Sequence, residues 1–208
     1  MKIKLGLFAI LLMVFFYPSL ENQVQAEENP LSLIKNISNN MIGQLKLKQK
    51  EIAEDSTIIM DIVEEILLPH FASNTIARKV LGKHVRTITD EQQQQFSDAF
   101  RFYMIRFYSR AFASYDNQTF EYLEEPNYKG EEKVTVKTLL LQPGGQSFPI
   151  DYKMQRSGDS WKIVDLHIEG ISLVISNRSQ FGSQIYSEGI DTVIAKLDYK
   201  NKKAQSNE

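Results

Sequence analysis

The chain has 208 residues, 24 basic against 26 acidic side chains for a formal charge of −2, a 42% hydrophobic content and no cysteine. That length suffices for a core that hides about 70% of the unfolded surface. The charge balance argues against nucleic acid, which wants a basic stripe, and the lack of cysteine excludes disulfide staples, a thiol nucleophile and a lipoprotein anchor.

The first segment reads as a leader. Lys2 and Lys4 precede an apolar run from Leu5 to Phe16, Pro18 breaks it, and Val24-Gln25-Ala26 supplies small residues where a signal peptidase cuts. Residues 1–26 are therefore expected to be a cleaved secretory signal peptide, since the run is shorter than the about 20 residues of a membrane span. Cleavage after Ala26 removes Lys2, Lys4 and Glu21 and moves the net charge from −2 to −3. One domain is expected over residues 27–198, with a flexible tail at 199–208.

Four helices are predicted next. Asn29-Pro30 is a cap with proline at the first helical position, followed by Ile34, Ile37, Met41 and Leu45 at helical spacing. Ile58, Ile59, Ile62, Val63, Ile66 and Leu67 give a second apolar face that ends at Pro69. A third short helix carries Phe71, Ile76, Val80 and Leu81 and stops at Gly82. The fourth and longest opens on Thr89-Asp90-Glu91-Gln92, a capping box. It presents Phe96, Phe100, Tyr103, Met104, Phe107, Tyr108, Ala111 and Phe112 on one broad face.

After residue 119 the period changes to two. Phe120 and Tyr122, then Val134 to Leu140, then Phe148 to Met154, then the strand from Trp161 are separated by Lys129-Gly130, Pro143-Gly144-Gly145 and Ser157-Gly158-Asp159, which predicts a four-stranded antiparallel meander. Strict alternation in the last strand puts Trp161 and Ile163 on one face and Val164, Leu166 and Ile168 on the other, a strand between two apolar layers. Ser172 then caps a helix bearing Leu173, Asn177, Phe181 and Ile185, and a last short helix carries Ile190, Val193, Ile194 and Leu197.

Segregated helices and strands describe an α+β domain, helices on a curved sheet, a layering that can part into an apolar cavity. Large apolar residues crowd the facing elements. Simple packing against one another is the ordinary use of such residues. Catalytic motifs are missing: no G-x-S-x-G elbow, no glycine-rich phosphate loop, no H-E-x-x-H. His167 and Glu169 alternate onto one face without a third metal ligand. Asp165 in the last strand leaves one enzymatic alternative, a carboxylate base inside an apolar cone.

The segments Leu67-Leu68-Pro69-His70-Phe71, Val80-Leu81-Gly82-Lys83, Thr89 to Phe112, Trp161 to Phe181 and Glu188-Gly189-Ile190-Asp191 resemble, in order and spacing, the MlaC (toluene-tolerance Ttg2) family of periplasmic phospholipid-binding proteins. The resemblance covers nearly the whole chain after the leader. It implies a periplasmic carrier without a stable membrane anchor or cofactor. Such a carrier moves phospholipid between an inner-membrane ABC transporter complex of the Mla type and an outer-membrane lipoprotein-porin complex, and so maintains outer-membrane lipid asymmetry. Two other readings stay open beside it, the cone-shaped isomerase-like enzyme and a structural periplasmic adaptor with a dry core.

A carrier must replace what water denies to two acyl chains, on the order of 20 kcal/mol for about 30 methylene-sized groups. The expected wall residues are Leu81, Phe100, Met104, Phe107, Tyr108, Ala111 and Phe112 from helices, Leu140, Ile150, Tyr152, Met154 and Ile163 from the sheet, and Ile171, Leu173, Val174 and Phe181 beyond it. They are expected to enclose a pocket at or beyond the large end of the roughly 300–1,000 Å³ usual for ligand sites. Lys83, His84, Arg86, Asn177 and Arg178 are the head-group candidates, and Lys200, Lys202 and Lys203 could meet anionic head groups from the tail. Gly170 and Gly189 are the candidate hinges.

Overall fold

A computed structural model describes residues 28–205; the expected leader and its cleavage site lie outside the described residues. Asn29 caps the first helix as its sequence implies, its Oδ1 accepting from the backbone N–H of Leu31 and Ser32, and α1 runs Pro30–Leu47. A short α2 (Gln49–Glu54), unmarked by any apolar period, follows. Next come α3 (Ile58–Ile62), a π-helical turn Val63–Leu67 and a 3₁₀ turn Leu68–His70. The apolar face predicted for this stretch is therefore real, but the helix widens before Pro69 ends it.

The helix α4 (Ser73–Leu81) stops at Gly82, whose φ of 55° only glycine adopts without strain. The long α5 (Asp90–Ala113) carries the complete capping box: Thr89 Oγ1 accepts from Gln92 N, and Gln92 Oε1 accepts from Thr89 N. The same Gln92 donates to Asp191 at 2.8 Å and pins the start of α5 to the start of the last helix.

The sheet is an antiparallel meander in the order β1 (Thr119–Tyr122), β2 (Lys133–Leu141), β3 (Ser147–Ser157), β4 (Ser160–Ile168), β5 (Ile171–Ser172). The fold is α+β as expected, with a fifth, two-residue strand that is too short to leave a periodic trace. Glu169 and Gly170, both at positive φ, turn β4 into β5.

One register shift corrects the sequence reading of β4. Met154 pairs with Ile163 but Lys153 pairs with Asp165, so Val164 is an extra residue, a β-bulge. The bulge reverses the alternation. Trp161 and Ile163 before it, and Leu166 and Ile168 after it, consequently share one face, opposite Met154, Tyr152 and Ile150. The strand does not lie between two apolar layers. Its inner face joins Val136, Thr138 and Leu140 of β2, and α1 packs against β2 and β4. Trp161 is completely buried and its indole N–H donates to the carbonyl of Glu28 at 3.0 Å.

Two helices close the molecule, α6 (Leu173–Glu188) and α7 (Ile190–Gln205). The tail predicted from residue 199 is instead helical to Gln205. Asn201 is buried there and donates to the carbonyl of Ala99 at 2.9 Å, a bond between α7 and α5 that hydropathy does not reveal.

Candidate functional site

An aromatic seam runs between α5, α6 and the second half of β4. Phe100, Met104, Phe107 and Tyr108 from α5 meet Leu173, Val174 and Asn177 from α6, with Phe71, Ile76, Tyr103, Asp165 and Leu166 completing it. Rings interlock along its length. Phe181 stands edge-on to Phe96, Phe100 and Tyr103 at centroid distances of 5.8, 5.8 and 5.4 Å, and Phe71 lies 5.3 Å from Tyr108.

The gap left inside this seam is about 20 Å³. That is room for about one water molecule and far below the large pocket expected from sequence. Side chains thus fill the space between helix and sheet at the seam. Wider clefts of about 410 and 240 Å³ open on the surface. The first is rimmed by the ion pair of Glu64 and Arg101, 2.6 Å apart; the second lies between α1, α2 and the end of α5, against Phe112 and Tyr115.

Of the expected wall residues the structure brings six together at the seam: Phe100, Met104, Phe107, Tyr108, Leu173 and Val174. Phe181 backs them. Leu140, Ile150, Tyr152, Met154 and Ile163 lie on the inner sheet face, which continues from the seam through Leu166. Leu81 is fully buried in α4. Phe112 belongs to the second surface cleft. Ala111 on α5 is exposed, and Ile171, just past the Glu169-Gly170 turn, is 62% exposed.

Tyr103, Phe71, Ile76 and Leu166 line the seam without being among the expected wall residues. Tyr103 follows Phe100 by three positions, the helical spacing that selects Phe107, so its place is legible; that of Leu166 is not, since strict alternation assigns it to the wrong face.

Polar groups at the seam are few and committed. The Tyr103 hydroxyl donates to Asn177 Oδ1 at 2.9 Å, and Asn177 Nδ2 donates to the Leu173 carbonyl. Burial raises the pKa of Tyr108, Tyr103 and Tyr152, with the Asp165 carboxylate adding to the effect at Tyr108 and Arg106 opposing it at Tyr103.

Asp165 is no base in a cone. Its Oδ1 accepts from the backbone N–H of Val174 at 3.0 Å, and its Oδ2 accepts from Ser172 Oγ and faces His167 Nε2 at 3.2 Å. It is the anchor of the α6 N-terminus, where a carboxylate meets unsatisfied N–H groups. Among the described residues no cluster of three or more metal-ligating side chains exists, and no helix is long and apolar enough to cross a membrane.

The head-group candidates separate in space. Asn177 lines the seam. Arg178 reaches across Gly82, where an added Cβ would meet its Cδ at 3.2 Å, and its Nε donates to the Lys79 carbonyl at 2.6 Å, closing the end of α4. His84 is half-buried against Gly182, while Lys83 and Arg86 are exposed. Gly170 and Gly189 both sit at positive φ, the latter ending α6.

Comparison with known proteins agrees with this layout. The chain is similar to the phospholipid-binding protein from Ralstonia solanacearum solved in complex with a phospholipid, with a TM-score of 0.75 at 23% identity over 85% of this chain and 99% of that one. Among sequences it is 24% identical over 175 residues to the intermembrane phospholipid transport system binding protein MlaC of Haemophilus influenzae, covering 83% of this chain and 82% of that protein. It is 23% identical over 167 residues to the toluene tolerance protein ttg2D of Pseudomonas putida, covering 80% and 77%. The family model for MlaC protein matches residues 35–199, nearly all of what the structure describes, and the chain belongs to the MlaC family.

Proposed function

We propose that this protein is a periplasmic phospholipid carrier that takes the acyl chains of its cargo between α5, α6 and the inner face of the sheet. The observation that carries the reading is the seam itself, a continuous interface of aromatic, leucine and methionine side chains. The Asp165 carboxylate in its lining is committed to Ser172 and Val174. The similar Ralstonia fold was solved with a phospholipid. Opening the seam exposes apolar surface, and hydrocarbon is the natural substitute for the side chains that move apart: each methylene removed from water returns about 0.8 kcal/mol. Phe100, Tyr103, Met104, Phe107 and Tyr108 are the proposed wall on the helical side, with Leu166, Tyr152 and Met154 on the sheet side. Asn177 is the proposed polar group nearest the mouth.

The leader supports a periplasmic location. The carrier's donor and acceptor in this proposal are an inner-membrane ABC transporter complex and an outer-membrane lipoprotein-porin complex, in keeping with the transport-system name of the Haemophilus relative. Native mass spectrometry of protein purified from cells, followed by organic extraction, tests the reading. A mass increment of a diacyl phospholipid is expected; protein that leaves the cell free of lipid and takes none from vesicles would sink it.

A further inference from the structure

The junction of α5, α6 and α7 holds a charge for which the acyl-chain seam has no use. Arg106 on α5 is 9% exposed, and its Nη1 is fully buried without a hydrogen-bond partner. The neighbouring Tyr103 ring, its centroid 5.7 Å from the guanidinium carbon, offers a π face and no counter-ion. Burial, then the like charge of Arg110, lowers its pKa, against a smaller opposing effect of Tyr103. A buried guanidinium donor with nothing to donate to is among the costlier defects of a protein interior, and in native folds an ordered water or an ion is among the acceptors that relieve it.

The surroundings are those of an anion site. Arg106 opens onto a cleft of about 60 Å³ in which Lys196 and Lys200 of α7 and Gln180 and Gln184 of α6 are the other long polar side chains, while no lining residue is acidic. Gln180 and Gln184 stand one helical turn apart and point amides from the same face. Lys196 already pairs with Glu188. Apolar Phe181, Val193 and Leu197 make up the walls, so a bound anion is partly sheltered from water and its attraction to Arg106 is screened little. The volume exceeds the roughly 10–15 Å³ that one water needs.

We propose that this cleft binds a phosphate group, held by the planar fork of Arg106 with Lys200 and Gln184 completing its shell. Tyr103 lines both this cleft and the acyl-chain seam. The phosphate is therefore either that of the cargo's head group, in which case the proposal rests on the carrier reading, or a soluble phosphate, in which case it does not.

Two arms on the mature protein decide. In the first, Tm is followed against inorganic phosphate and against chloride at equal ionic strength. The natural protein is expected to gain several degrees in phosphate alone, Arg106→Met to lose that gain, and Arg106→Lys to keep part of it. In the second, the phospholipid that co-purifies with each variant is weighed by mass spectrometry. A severalfold fall in Arg106→Met assigns the head group as the source, and a phosphate response with unchanged lipid assigns the soluble anion. Lys200→Ala, at an exposed position, repeats both arms should Arg106→Met fail to fold. If neither the phosphate response nor lipid retention depends on Arg106 or Lys200, the site is overturned. Absence of lipid from every variant, with the phosphate response intact, would count against the carrier reading and leave this site standing.

Discussion

Asp165 illustrates how one side chain can carry two incompatible expectations until its neighbours are known. A carboxylate in a largely apolar strand suggests a base with a raised pKa. Its oxygens are instead spent on Ser172 Oγ and the Val174 N–H, where a negative charge is favoured by the N-terminal end of α6. Asp165→Ala should therefore lower unfolding stability by about 1–3 kcal/mol, the usual cost of leaving buried donors unpaired. Asp165→Asn, which keeps one acceptor, should lose less. Urea unfolding with an unchanged m-value measures both; an Ala variant with the midpoint of the natural protein would show that the α6 terminus does not depend on this anchor.

At the scale of elements, β4 is decided by Val164. Before the bulge Ile163 faces Met154, and after it Leu166 faces Tyr152, so the strand serves the same core throughout although its apolar residues change parity. Deleting Val164 would restore strict alternation. With Trp161 and Ile163 held in place by Glu28 and Phe71, Asp165 would then follow Ile163 directly and keep the outer face, and Leu166 and Ile168 would keep the inner face opposite Tyr152 and Ile150. The expected result is a variant that still unfolds cooperatively and is weakened only by the lost burial of Val164 and the lost bend, read by near-ultraviolet circular dichroism and dispersion in an amide NMR spectrum. A deletion variant without cooperative unfolding would mean that the bend made by the bulge, and not only the parity it restores, is required by the core.

At the scale of the molecule, the closed seam sets an energetic requirement. A gap of about 20 Å³ admits no acyl chain, so in the carrier reading proposed above loading separates α5 and α6 from β4, and the cargo must bind the opened form well enough to hold it open. Lipid then belongs to the folded state alone. A cargo present at about a hundred times its Kd adds about 2.7 kcal/mol to stability, and delipidated protein should unfold at correspondingly lower urea than protein loaded from vesicles. Amide exchange should slow along α5 and α6 and stay unchanged in β1 and β2. Equal unfolding midpoints for the loaded and delipidated forms would place the lipid outside the core.

The sequence by itself determined every element whose cause is local. Asn29 and Thr89 mark helix starts with their own side chains, Gly82 marks a stop, and period-two runs between glycine turns mark β1 to β4. The broad face of α5, with Phe100, Met104, Phe107 and Tyr108, followed from spacing, while their place in one wall with Leu173 and Val174 was what the family resemblance implied. Only the tertiary structure decided what depends on a partner distant in the chain. The bulge at Val164 exists relative to β3, Asn201 belongs to the core through the carbonyl of Ala99, and Arg178 is held at the end of α4 by a residue 99 positions earlier. Hydropathy reports whether a side chain prefers to leave water, but it carries no information about which surface receives it or how tightly; the lipid-holding space expected from the family resemblance is filled in this structure by packed side chains.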